Sequence, residues 1–261
     1  MPEGDTLRRI ADRLRPALAG KTLARFEAPR LRGERPRPGD TIDGVAAQGK
    51  HLLIDFGSGL TLRTHLRMTG SWDLYRTGQR WRKPPYVARA VLETDDGWCA
   101  VCFAAPVVET FHRGAGPPPA LARLGPDLAD PDPDLDAVLA RLAELAGPDD
   151  EIGAVLLDQR VAAGIGNVYK SEVCFACRLD PFTPVAQVPE AERRRLYATA
   201  HRMLRANAGG AARRTYGTGV AVYRRSGRDC PRCGAVIRRR AQGEQARSTY
   251  WCPGCQRLPV A

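Results

Sequence analysis

Gly114-Ala115-Gly116-Pro117-Pro118-Pro119 opens a stretch that closes with Asp130-Pro131-Asp132-Pro133-Asp134, and the hydrophobic period changes across it. Proline lacks the N–H that a helix or strand interior uses, so 115–134 reads as a linker between two domains. Before it lie short strand-like runs: Thr22 to Ala28, Thr41 to Gln48, His51 to Phe56, Leu60 to His65, Trp72 to Tyr75, Ala88 to Thr94 and Trp98 to Phe103. Turn signals such as Arg37-Pro38-Gly39-Asp40 and Gly57-Ser58-Gly59 divide them, which predicts a mostly antiparallel β-sandwich or flattened barrel. In front of these runs Leu7, Ile10, Ala11, Leu14 and Leu18 recur at helical spacing, predicting a helix over 4–18 that starts near Asp5 or Thr6. Behind the linker the period is helical throughout. Leu135, Val138, Leu139 and Leu142 make one helix, Ile152, Val155 and Leu156 begin another, and Leu196, Ala200, Met203 and Leu204 lie on a later one. The fold class expected is α+β and multidomain. A helix and an antiparallel sandwich fill 1–114, a helical domain fills 135–225, and a cysteine-bearing β-hairpin ribbon fills 226–261.

With 261 residues, 43% of them hydrophobic, the chain can bury a core in each domain. No run of about 18 apolar residues exists, so no membrane helix is expected. The N-terminus has no basic-then-apolar leader, and a cytoplasmic protein is expected. The net charge of +11 is unevenly placed: residues 201–261 carry 13 arginines against Asp229 and Glu244, while the first 200 residues balance at 27 of each sign. A polyanion partner follows, nucleic acid being the natural one, with a merely solvated basic tail as the alternative.

The eight cysteines form four Cys-x-x-Cys pairs that are not equivalent. Cys230, Cys233, Cys252 and Cys255 have the spacing of a four-thiolate zinc site, each pair beside a glycine turn. Between the pairs, Ala235 to Arg240 and Arg247 to Trp251 read as strands joined around Gln242-Gly243. So short a segment buries little core, and a metal would hold it together. Disulfides would need an oxidising compartment, for which nothing in the sequence speaks. Cys99 and Cys102 lie three apart on a strand and face opposite sides, whereas Cys174 and Cys177 share a helix face as small hydrophobes.

Two further stretches carry chemistry. In Met1-Pro2-Glu3-Gly4-Asp5, removal of Met1 would leave Pro2 with a free secondary amine, a nucleophile toward a carbonyl-like carbon, with the Glu3 carboxylate beside it to move protons. By itself this is also how many proteins begin. In Val161-Ala162-Ala163-Gly164-Ile165-Gly166-Asn167-Val168-Tyr169-Lys170, two glycines before Asn167 at a helix start would expose backbone N–H groups to a phosphate. The same residues could be only a tight interhelical turn.

Taken together, the motifs resemble the formamidopyrimidine-DNA glycosylase / endonuclease VIII family of base-excision repair enzymes. The likeness covers the start Met1-Pro2-Glu3-Gly4, the hairpin Gln48-Gly49-Lys50-His51-Leu52-Leu53 and the segment His65-Leu66-Arg67-Met68-Thr69-Gly70. It continues through Leu124-Gly125-Pro126-Asp127, Gly164-Ile165-Gly166-Asn167 and the ribbon with Ala246-Arg247-Ser248-Thr249. The resemblance implies that the helical domain is a helix-two-turn-helix element and that the partner is damaged DNA. It implies that Pro2 attacks C1′ of the damaged nucleotide, that Glu3 handles protons, and that Lys50 faces the phosphate or base. Asn167 and Arg247 would grip phosphates beside a flipped nucleotide, with Tyr169, Lys170 and Arg67 also on the DNA side, and Met68 would fill the gap in the stack. A structural zinc, a monomer without membrane attachment and a bacterial cytoplasmic setting at the nucleoid complete the expectation.

Departures from the family pattern bear on the branch. Thr6 stands where most members carry Glu, the loop Arg213 to Tyr223 looks short, and 104–113, although they include Phe111 and Arg113, lack the Arg and Phe wedge pair expected of the purine-specific branch. With the Met-Pro-Glu-Gly start, these point to the endonuclease VIII branch and to oxidised pyrimidines. A purine-preferring glycosylase, a damage-binding protein that does not cut, and a zinc-ribbon module with an inert β-domain are the alternatives.

Overall fold

In a computed structural model, residues 2–210 and 212–257 are described. They form two compact units, 1–122 and 123–261. In the first unit helix α1 (Gly4–Leu18) is followed by β1 (Leu23–Glu27), β2 (Ile42–Gln48), β3 (His51–Phe56), β4 (Leu60–His65), β5 (Ser71–Arg76), β6 (Ala88–Thr94), β7 (Trp98–Phe103), β8 (Val107–His112) and the short α2 (Pro119–Ala122). All strand pairs are antiparallel, in two four-stranded sheets of order β1-β6-β7-β5 and β2-β3-β4-β8. The sandwich core takes Leu7, Leu14 and Leu18 from α1, Leu52, Ile54 and Leu62 from one sheet, and Trp72, Leu92 and Ala100 from the other. The apolar stripe of α1 closes this core, while Asp12, Arg13 and Arg15 between its turns face out.

Strand β8 was not predicted. Only Val108 of its six residues is buried, so this edge strand has no alternation to betray it. Cys99 and Cys102 do face opposite sides of β7: Cys102 lies in the sandwich core and Cys99 in a second cluster with Tyr75, Val101 and Phe103.

The second unit holds α3 (Leu135–Leu145), the one-turn α4 (Ile152–Val155), α5 (Asn167–Ala176), α6 (Glu190–Ala208), and the hairpin β9 (Arg238–Gln242) and β10 (Arg247–Trp251). Asp134 caps α3 by accepting from Ala137 N at 2.8 Å. Tyr169, Val173, Leu196, Tyr197, Ala200 and Leu204 pack the interior between α5 and α6. Cys174 is wholly buried there and Cys177 nearly so.

Two boundaries differ from the sequence reading. The stretch expected to link domains is, from residue 123, part of the second unit: Leu128 N donates to Ala163 O, Ala163 N to Pro126 O and Gly125 N to Gln159 O. Gly125 sits so close to the turn that an added Cβ would lie 2.3 Å from Val161 O, so glycine is required there. Its proline content marked an extended chain, but an extended chain with satisfied N–H groups and a buried Leu128. The cysteine ribbon belongs to the same unit as the helices. Within it, Gln242 is a strand residue with a buried side chain, and the turn falls at 243–246, where Gly243 and Ala246 have φ of 65° and 47°. Among the described residues no helix is long and apolar enough to cross a membrane.

Candidate catalytic and nucleic-acid-binding sites

In the first unit the chain enters α1 through Pro2 and Glu3. Glu3 is extended (φ −128°, ψ −176°), and its carbonyl accepts from Thr6 N at 2.9 Å and Leu7 N at 3.2 Å, so it opens the helix. Its side chain is fully buried, and so is that of Asp5, which accepts from Thr6 Oγ1 at 3.2 Å. Two buried carboxylates in the first turn are matched by the positive end of the helix. Pro2, half-buried, directly precedes them.

Lys50 occupies the second position of a two-residue turn that Gln48 and His51 close. Gly49 takes the first position with φ 56°, as a type II′ hairpin requires. Lys50 is half-buried. Behind it His51 pairs with His65 across β3 and β4, their rings 4.8 Å apart at 62°. Burial, with the neighbouring cationic groups and the facing imidazole, holds His51 down to about 3. Burial with Arg67, Lys50 and Arg63 holds His65 down to about 4. Both rings are therefore neutral at physiological pH. Arg63 Nη1 lies 3.2 Å from His51 Nδ1, and an arginine only donates, so the His51 proton is on Nε2. Arg63 is held in turn by Glu109 at 2.8 Å. His65 Nδ1 accepts from Arg67 N at 3.2 Å, which fixes the same tautomer.

That bond helps hold Arg67 at φ 47°, a left-handed conformation uncommon outside glycine. The turn closes when Gly70 N donates to Leu66 O at 2.9 Å, and Gly70 has no room for a side chain, Leu66 O lying 2.7 Å from where its Cβ would be. Arg67 and Met68 are thrown outward, Met68 with 57% of its surface exposed. An exposed methionine on a backbone so firmly folded is not a core residue out of place.

In the second unit Asn167 is the first residue of α5, where the initial backbone N–H groups have no partner inside the helix. Its Nδ2 donates to Ser248 O of β10 at 2.7 Å, and its buried Oδ1 finds no donor among the described residues. The preceding loop is stapled by Gln159, whose Nε2 donates to Leu157 O and Ile165 O and whose Oε1 accepts from Gly164 N. Arg247 is exposed, its guanidinium resting on Gln245 Oε1 at 3.0 and 3.2 Å. It lines a cleft of about 430 Å³ with Asp158, Gln159, Arg160 and Gln245.

Tyr169 and Lys170 differ from expectation. Neither has any exposed surface, because the α5 face that carries them packs inward. Lys170 Nζ lies 2.5 Å from Thr249 Oγ1, which donates to Gln242 Oε1 at 2.7 Å, and Gln242 Nε2 donates to Pro181 O at 2.8 Å. This buried chain ties α5 to the ribbon hairpin, so Lys170 holds together the two elements that carry Asn167 and Arg247. Sequence reading also passed over Glu172, a fully buried carboxylate on α5. It accepts from Thr215 Oγ1 and from the backbone N–H groups of Ala221, Val222 and Tyr223, at 2.5 to 2.9 Å. An acidic residue directly before the apolar run Val173-Cys174-Phe175-Ala176 was the available signal.

The four distal cysteines converge, with all their sulfurs within 4.8 Å of one another. Cys230 and Cys255 are 3.7 Å apart, Cys233 and Cys252 3.4 Å. A tetrahedral ion with about 2.3 Å bonds to sulfur needs edges of about 3.8 Å, so the donor set fits a thiolate-bound metal. Burial and the neighbouring sulfurs push Cys255 up to about 12, a cost that a cation removes.

A buried carboxylate at the start of the first helix, a Gly-Ile-Gly-Asn helix entry and a terminal four-cysteine ribbon together define a class. Residues 1–104 match the model described as the formamidopyrimidine-DNA glycosylase N-terminal domain, and 124–215 the formamidopyrimidine-DNA glycosylase H2TH domain. The chain belongs to the formamidopyrimidine-DNA glycosylase / endonuclease VIII family, on its endonuclease VIII-like branch. It is 43% identical to "Probable endonuclease 8 2" of Streptomyces coelicolor, over 100% of this chain and 95% of that one. It is 39% identical to "DNA-(apurinic or apyrimidinic site) lyase Nei2" of Mycolicibacterium smegmatis, over 98% and 99%. Among solved structures, a complex of a Lactococcus lactis Fpg mutant with Fapy-dG-containing DNA aligns with a TM-score of 0.79 at 26% identity, over 98% of this chain and 100% of that one.

Proposed function

We propose that the protein is a bifunctional DNA glycosylase and apurinic/apyrimidinic lyase of base-excision repair, acting by preference on oxidised pyrimidines. The observation that carries the reading is the fully buried Glu3 directly after Pro2 at the head of α1. With Met1 removed, the Pro2 nitrogen attacks C1′, the bond to the base breaks, and the base departs. Glu3 protonates the sugar ring oxygen, the ring opens, and an iminium forms between Pro2 and C1′. The iminium draws electrons from C2′, whose proton is lost as the 3′ phosphate leaves; a second elimination releases the 5′ phosphate. Lys50, on its rigid turn, supplies a cation to the phosphate or base. Met68 occupies the gap in the stack with Arg67 beside it on the DNA side, and Asn167 and Arg247 hold flanking phosphates, positioned by Lys170 and Tyr169 from within.

The four cysteines would hold a zinc ion, which ties the ribbon together and takes no part in the reaction. Asp5, hydrogen-bonded to Thr6, stands in for the carboxylate usual at the next position. Relatives named as endonuclease 8 and as a lyase support this reading, as does the likeness to DNA-bound solved structures. The protein would act as a monomer in the bacterial cytoplasm, at the nucleoid.

Borohydride added during reaction with abasic DNA tests the chemistry. A protein–DNA cross-link through Pro2 is expected. A cross-link surviving unchanged in a Pro2→Gly protein, or in an N-terminally extended one whose Pro2 nitrogen is an amide, would overturn the assignment.

A further inference from the structure

The first unit carries nineteen basic and thirteen acidic residues, and five of the basic ones with none of the acidic fall in residues 76–89. Five of the unit's six excess charges thus sit on the connection between β5 and β6 (Arg80, Arg82 and Lys83) and on the strand residues that flank it (Arg76 and Arg89). The connection is also firmly built. Trp81 packs on Tyr75 and edge-on against Phe103, at 6.5 and 5.8 Å, and covers the outer cluster of the sheet. Tyr75 OH accepts from Arg82 N at 3.1 Å, Lys83 Nζ reaches Ser71 Oγ at 2.7 Å, and Arg89 ties the carbonyls of Tyr86 and Ala88.

On this scaffold three side chains are held out. Arg80 is exposed, Arg82 pairs with Asp73 at 2.9 Å yet keeps 70% of its side chain open, and Tyr86 is 81% exposed. Tyr86 follows Pro84-Pro85, which restrict the backbone behind it. A cleft of about 630 Å³ runs along Gln79 to Pro85. The surface begins near the Met68 turn: Lys83 is bonded to Ser71, three residues on and so at most ~11 Å along the chain.

We propose that this loop is a landing platform for an unpaired nucleic-acid strand, with Tyr86 stacking on a base and Arg80 and Arg82 taking the phosphates beside it. An exposed aromatic ring among cations on a rigid backbone is what single strands use, because every base offers a face and every linkage a charge. A paired duplex hides its bases and would use the arginines alone. An acidic peptide would use the charge and leave the ring idle. The inference rests on the repair reading above for its setting beside a lesion, and adds a strand contact outside the catalytic pair.

The test uses the full chain and a labelled oligo(dT) of about ten nucleotides, read by fluorescence anisotropy. Tyr86→Ala should weaken binding about tenfold, and Tyr86→Phe should restore it. Arg80→Ala should lower the slope of log affinity against log salt by about 0.7. Affinity for an undamaged duplex of equal length should change less than twofold in Tyr86→Ala. Unchanged oligo(dT) binding in Tyr86→Ala would overturn the proposal, as would polyglutamate competing as well as oligo(dT). Cross-linking through Pro2 on abasic DNA is read in parallel. If it persists while the strand contact fails, only the platform is lost; if it vanishes while the contact stands, only the enzymatic reading is lost.

Discussion

Lys170 Nζ sits 2.5 Å from Thr249 Oγ1, and neither side chain has exposed surface. A helix and a hairpin far apart in sequence are thereby locked in one register, with Asn167 to Ser248 as the neighbouring rung. Thr249→Val takes an acceptor from a buried ammonium and a donor from Gln242. It should cost about 1–3 kcal/mol, seen as a lower urea midpoint. DNA affinity should fall further than stability alone explains, because Arg247 lies two residues away on the same strand. Unchanged stability would mean that the buried chain is incidental.

Glu3→Gln keeps the shape of the buried side chain and removes its charge. Binding to lesion-containing DNA should persist while base release drops by about 10²-fold or more. Single-turnover kinetics separates the two, and a loss confined to binding would give Glu3 a merely structural role.

Cys252→Ser removes one corner of the thiolate tetrahedron. Metal analysis should show zinc lost together with DNA binding, whereas Cys174→Ala, inside the helical core, should keep the metal. Full DNA affinity in a zinc-free Cys252→Ser protein would make the ribbon dispensable.

His51 and His65 give the first unit a predictable acid sensitivity. Their folded values of about 3 and about 4 lie below the 6.5 of an unconstrained imidazole. Above that value both states are neutral, and stability is at its full value. Below it the unfolded chain takes up protons that the folded one refuses, so stability falls with pH until the folded values are reached. The slope is at most about 1.4 kcal/mol per pH unit for each ring, and less for His65, which is half-open to solvent. Urea melts at about pH 7.5 and about pH 5 should converge in His51→Gln relative to the parent. An identical pH dependence in both proteins would refute the assignment.

Oxidised pyrimidines should be cleaved faster than 8-oxoguanine paired with cytosine. A flipped purine needs a larger cover, and here the connection from α6 to the ribbon is short, with Glu172 drawing residues 215 and 221–223 together. Competing duplexes carrying 5-hydroxyuracil and 8-oxoguanine decide it. Faster processing of the purine at equal binding would reverse the branch preference and leave the chemistry of Pro2 intact.

Much of this architecture was legible because local rules and burial agree. The α1 stripe, the Gly49-Lys50 turn and the cysteine spacing each follow from residue type and period alone. What escaped was polar and long-range. Lys170 reads as a surface cation beside Asn167, and only the packing of α5 turns it inward to Thr249. Glu172 and Gln159 are ordinary letters whose partners lie, respectively, some forty residues away and across a single loop. Strand β8 escaped for the opposite reason: one buried valine leaves no pattern to read.

The single carboxylate of Glu172 clamps both ends of the segment that begins at Thr215 and returns at Ala221. Between them runs a bight of chain in which Tyr216 and Gly219 exchange backbone hydrogen bonds, the Tyr216 ring stands edge-on to the buried Phe175 at 5.7 Å, and Gly217 turns at φ 53°. Replacing Thr218 and Val220, which leaves Tyr216 and the two glycines in place, should therefore change the fold's free energy little while altering what the bight can touch. A lineage could exchange this piece, or a laboratory could randomise it, without reopening the rest of the molecule to selection. A place open to a new preference is thus the one that a buried acid, accepting four hydrogen bonds, keeps tied.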